Sequence, residues 1–222
     1  KSLKKGAREA WDATAKAFDA LMEGLNPIVL PAELPGSLSG KQLIGTSVEN
    51  AQQKERVGRI GDVVVGRDNF IDAFVVEDGG FLGIGADKVP VKPRLITVTR
   101  DPDGSLKART NVTEGQMDTA ADGAFVSRIE AMNENFKKPE VKTVSRLLSA
   151  NVVGADGKQV ASVHDILFSP IGEARYAILS LGPPGSKMVS VRVGALTFTR
   201  GGEPLRTTMT AQQLSKLALV SY

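Results

Sequence analysis

The chain has 222 residues, no cysteine, a single histidine and a formal net charge of +3. The lack of cysteine excludes disulfides, thiolate metal sites and cysteine nucleophiles together, and nowhere do eighteen apolar residues run together, so no membrane-spanning helix is expected. The pI near 9.1 owes its excess to Lys1, Lys4, Lys5 and Arg8, while the Lys and Arg residues of the strands and turns are scattered singly, so nucleic acid is not an expected partner.

Between residues 7 and 25, Trp11, Phe18, Leu21, Met22 and Leu25 fall on one helical stripe, with Lys16, Asp19 and Glu23 on other faces. Gly24, Asn26 and Pro27 are stop signals, and Pro27, Pro31 and Pro35 mark an extended connector. Residues 1–40 are therefore expected to be an amphipathic helical arm with a Pro-rich connector. Trp11 and Phe18 are candidate partner-binding residues, and the basic cluster beside them suits peripheral contact with an anionic membrane surface. A start at Lys1 instead of Met fits removal of an export leader.

From Leu43 onward, short runs rich in Val, Ile and Phe are separated by turns such as Asp103-Gly104 and Asp156-Gly157. Val189, Val191 and Val193 alternate with Ser190 and Arg192, as in a half-buried strand. Thr113 and Thr210 each precede a Gln by three positions, the spacing of a capping box that opens a short helix. Phe125, Ile129, Met132 and Phe136 recur at helical intervals up to Lys137, Lys138 and Pro139. The expected organisation is a first domain over residues 41–120, a linker helix over 121–141 and a second domain over 142–222.

The two domains say nearly the same thing. Residues 57–65 (VGRIGDVVV) return as residues 160–168 (VASVHDILF), residues 95–100 (LITVTR) as 195–200 (ALTFTR), and residues 113–117 (TEGQM) as 210–214 (TAQQL). A period of about a hundred residues is too long for a solenoid or propeller and implies two copies of one small domain. Duplication of the scaffold without duplication of any chemistry points to binding instead of catalysis.

Each chemical candidate has a plainer structural explanation. Gly80, Gly83 and Gly85 do not lead into a helix, so they make a β-loop and no phosphate cradle. Phe81 and Leu82 at its tip are candidate partner contacts. Asp62 and Asp165 occupy equivalent strand positions among apolar neighbours and are expected to be structural carboxylates, accepting backbone N–H bonds at a bulge near Gly58 and Gly61. His164 lies two residues from Ser162 and next to Asp165, yet on a strand the adjacent carboxylate points to the opposite face and cannot orient the imidazole. Asp101-Pro-Asp-Gly104 is turn chemistry, and Asn111-Val-Thr113 is a sequon of high chance frequency. No catalytic residue, cofactor site or metal site is assigned.

Residues 57–64, residues 70–76 and the segment Gly79-Gly-Phe-Leu-Gly-Ile-Gly85 followed by Lys88-Val-Pro-Val91 resemble the PRC-barrel family. The second copy keeps the early strands and residues 188–191 but carries Leu181-Gly-Pro-Pro-Gly185 in place of the glycine-rich segment. The resemblance implies a mainly β fold of two small antiparallel PRC-type barrels in tandem, used for assembly or for binding protein or RNA, with no catalytic residues in the barrel. The expected function is a non-enzymatic assembly or protein-interaction module in a bacterial periplasm, binding a protein partner or itself. The competing expectation is a cytoplasmic RNA- or ribosome-associated maturation factor.

Overall fold

A computed structural model describes residues 37–78, 87–116, 141–148, 150–183 and 187–220. The segments expected to form the arm helix and the linker helix, and the segment bearing Phe81 and Leu82, lie outside them. The elements are Leu38–Ser39 (β1), Gly40–Leu43 (α1), Ser47–Asn50 (β2), Arg56–Val65 (β3), Ile71–Asp78 (β4), Asp87–Val91 (β5), Ile96–Arg100 (β6), Leu106–Thr110 (β7), Val144–Leu147 (α2), Asn151–Val153 (β8), Gln159–Phe168 (β9), Ala174–Ser180 (β10), Met188–Arg192 (β11), Leu205–Arg206 (β12) and Ala211–Ser215 (α3). The chain is mainly β and divides into two compact units, one of Ser39–Leu148 with Thr199–Gly202, the other of Lys1–Leu38, Ser149–Phe198 and Glu203–Tyr222.

The first unit carries one sheet in the order β5-β4-β3-β2-β7-β6. Alternation buries Val63 and Val65 of β3 and Val89 and Val91 of β5, while bulges shift the pattern so that Val57 and Ile60 are buried as well. The sheet is not purely antiparallel, as the sequence suggests, because β2 and β7 run parallel, with Val48 opposite Ala108. The cause is local: β5 passes to β6 through a single 3₁₀ turn, Pro93–Leu95, instead of a hairpin. The β6–β7 hairpin, closed by Gly104 at φ +85° and by Gly104 N–H donating to the Asp101 carbonyl, therefore reaches β2 in the parallel sense. The paired acids of that segment form this turn, Asp103 accepting from Ser105.

In the second unit the strands run β11-β10-β9-β8-β12, again with one parallel pair, Leu205 opposite Val152. Every residue of β10 is buried, so this strand is covered on both faces, unlike the half-buried β11. Part of the second cover comes from Val220, which packs on Leu167, Tyr176, Ile178 and Met188 while its N–H donates to the Met188 carbonyl. Thr210 opens α3 with a capping box closed by Gln213, and Thr113 makes the same reciprocal pair with Gln116 in the first unit.

The pairing irregularities of the two sheets fall at corresponding positions. In the first, the strand register skips Val57, Gly61 and Asp72; in the second it skips Val160, His164 and Arg175, each 103 positions later. A bulge displaces every side chain beyond it, so shared bulges mean a shared inward set of residues.

Candidate interaction site on the first sheet

Gly61 leaves the ladder between β3 and β4, and Asp62, the next residue of β3, is half-buried. The carboxylate accepts the N–H of Val63 at 2.8 Å and the N–H of Ser145 at 3.0 Å, and it takes the Ser145 hydroxyl as well. The sequence places its donors near Gly58 and Gly61. One of them comes instead from a residue 83 positions away, because the bulge turns the side chain off its own strand toward the N-terminal end of α2.

The α2 segment is built to be held there. Thr143 caps it, its hydroxyl accepting from Arg146 N–H at 3.4 Å, and Leu148 N–H closes the turn on the Val144 carbonyl. Val65 N–H donates to the Lys142 carbonyl at 2.8 Å, and Thr143 bridges Val64 in antiparallel register. Val144 and Leu147 are buried, which gives the contact an apolar centre. At the other end, Lys142 Nζ donates to Asn69 Oδ1 at 2.5 Å on the β3–β4 turn, where Asn69 has φ +62°. Burial holds the Lys142 amine below the usual lysine range, and the nearby Asp68 charge offsets this only in part.

On the neighbouring strand, Glu77 receives two bonds from Arg59, at 3.0 and 2.9 Å, and an ion pair from Lys88 at 3.2 Å. Burial works to raise its carboxyl, but the hydrogen bonds and charges of Arg59 and Lys88 together prevail and hold it below the ordinary Glu value of 4.5. In the second unit, Asp165 is fully buried and accepts Ile166 N–H at 2.7 Å, repeating the bond of Asp62 to Val63. His164 is half-buried at the bulge and alternates with the buried Val163 and Asp165.

Asp62 is thus brought together with Ser145, while Thr143 bridges Val64 and Lys142 reaches Asn69, and the sequence singles out none of Lys142, Thr143 and Ser145. A signal is present all the same: Ser39-Gly-Lys-Gln-Leu43 and Thr143-Val-Ser-Arg-Leu147 share a capping hydroxyl followed four positions later by a buried Leu, and each ends in the same backbone closure. Trp11, Phe18, Phe81 and Leu82 lie outside the described residues. Among the described residues no three His, Asp or Glu side chains gather as metal ligands, and no helix is long and apolar enough to cross a membrane.

Residues 35–110 match the PRC-barrel domain family. That span contains β2 to β7, the whole first sheet, and a domain of this family is in general a protein-interaction module. No curated protein matches the chain.

Proposed function

We propose that the chain is a non-enzymatic assembly or protein-interaction module of two PRC-type barrels, working in the bacterial cell envelope. The single observation that carries this role is the way the first sheet holds residues 142–147: a carboxylate caps the segment, a strand bridge fixes its register and two buried apolar side chains anchor it. Such a surface recognises a short extended-then-helical segment, combining main-chain hydrogen bonds for affinity with side-chain pockets for specificity. The second sheet is a second copy of the domain, supported by the bulges at Val160, His164 and Arg175.

Trp11 and Phe18 of the arm and Phe81 and Leu82 of the glycine-rich loop are the partner contacts, because large apolar groups supply most of the binding energy once desolvated. The test is recovery of cross-linked partners from a bacterial envelope fraction by the full chain and by a folded W11A/F18A/F81A variant. A sharp drop in the variant is expected, and equal recovery overturns the assignment.

A further inference from the structure

We infer that residues 141–148 are an exchangeable latch, and that the same segment of a second copy of this chain can occupy the C-terminal end of β3, beyond its pairing with β2, giving a reciprocal dimer. It specifies self-association within the proposed role, and its outcome does not depend on whether a foreign partner exists.

The segment carries all its own recognition elements within the six residues Lys142 to Leu147. Lys142 and Thr143 supply the strand bridge, Thr143 the cap, Ser145 both donors to Asp62, and Val144 and Leu147 the apolar anchor. Only three residues separate Leu147 from β8 of the second unit, so the latch belongs to the first unit while its continuation belongs to the second. Exchange between copies uses identical contacts and so costs little, the balance being set by the effective concentration of the tethered segment. The hold is also imperfect, since Lys142 carries its amine into a partly buried site that disfavours its charge.

The chain has no cysteine, so introduced thiols report without interference. The pair Val64 and Thr143 is bridged with Val65 N–H bonded to the Lys142 carbonyl, the non-hydrogen-bonded geometry in which facing side chains approach closely enough for a disulfide. The double variant V64C/T143C should form an intrachain disulfide. Equal amounts of V64C and T143C, unfolded together and refolded at high concentration, should then yield the mixed V64C–T143C dimer in about tenfold excess over V64C–V64C. A mixed dimer no more than about twice as abundant as the V64C homodimer, the ratio that random pairing of equal pools gives, with the double variant cross-linking normally, overturns the exchange. No intrachain cross-link in the double variant removes the seat itself and overturns it too. Should T143C not fold, light scattering of the wild-type chain refolded at the same concentration decides: a dimer that is lost in D62A supports the exchange, and monomer alone overturns it.

Discussion

Gly61 and Glu77 share one volume across the β3–β4 bulge: a Cβ on Gly61 would lie 2.5 Å from Glu77 Cγ and closer still to its carboxyl group. Glu77 is not free to yield, because Arg59 and Lys88 both hold its carboxylate. The positions 103 residues on carry the opposite arrangement, with the larger His164 at the bulge and the smaller Ser180 on the facing strand. Gly61→Ala should therefore destabilise the chain by about 1–2 kcal/mol in the wild-type background and by much less in Glu77→Ala. A double-mutant cycle by denaturant unfolding measures the coupling, and additive costs would show that the two residues do not compete for this space.

The same carboxylate makes stability depend on pH in a defined direction. Arg59 and Lys88 prevail over burial and keep the Glu77 carboxyl below its unfolded value of 4.5. A depressed folded value means that the unfolded chain binds the proton more readily, so the stabilisation is complete above about pH 4.5 and is lost as pH falls through the folded value. Its size should be modest, below about 1 kcal/mol, since Arg59 and Lys88 are themselves substantially exposed. Unfolding midpoints across this acid range should fall less steeply in Glu77→Gln than in the wild type, and parallel curves would assign the acid sensitivity to other carboxylates.

The parts of the fold that local chemistry dictates were legible in the sequence. The Asp103-Gly104 turn, the Thr210 capping box and the alternation of Val189, Val191 and Val193 each depend on residues within a few positions of one another. What escaped was long-range. The parallel pairing of β2 with β7 follows from a 3₁₀ corner at Pro93 that a periodicity of two does not report. The seat of Ser145 on Asp62 joins residues 83 positions apart, and no spacing rule reaches that far. A carboxylate among apolar strand residues flagged Asp62 as needing a partner without naming it.

Asp62 and Asp165 hold equivalent strand positions but differ in burial, and the cost of removing them should differ accordingly. Asp62 is partly exposed and faces the exposed Ser145, so water can replace the carboxylate in Asp62→Ala. The expected loss is about 1 kcal/mol, with the amide of Ser145 gaining hydrogen exchange. Asp165 is fully buried and accepts Ile166 N–H at 2.7 Å. In Asp165→Ala that donor is left in the core, and the expected loss is about 2–3 kcal/mol. Thermal or denaturant unfolding of the two variants checks the order, and a larger loss for Asp62→Ala would contradict the burial argument.

Two glycines with positive φ separate backbone strain from crowding. Gly104 sits at φ +85° in the β6–β7 turn, and a Cβ added there would meet nothing within 4 Å, so Gly104→Ala carries only the cost of an unusual backbone conformation, about 1 kcal/mol. Gly58 has φ +150° and lies against β4, where a Cβ would fall 2.7 Å from Val76 Cγ1 and 2.8 Å from the Glu77 carbonyl oxygen. The second of these is backbone of β4 and cannot move without breaking the β3–β4 register. Gly58→Ala should therefore cost more than about 2 kcal/mol and lower the yield of folded protein, while Gly104→Ala remains folded. Circular dichroism melts of the two variants read the difference, and equal melting temperatures would mean that β4 yields at Val76 and Glu77 without loss of the sheet.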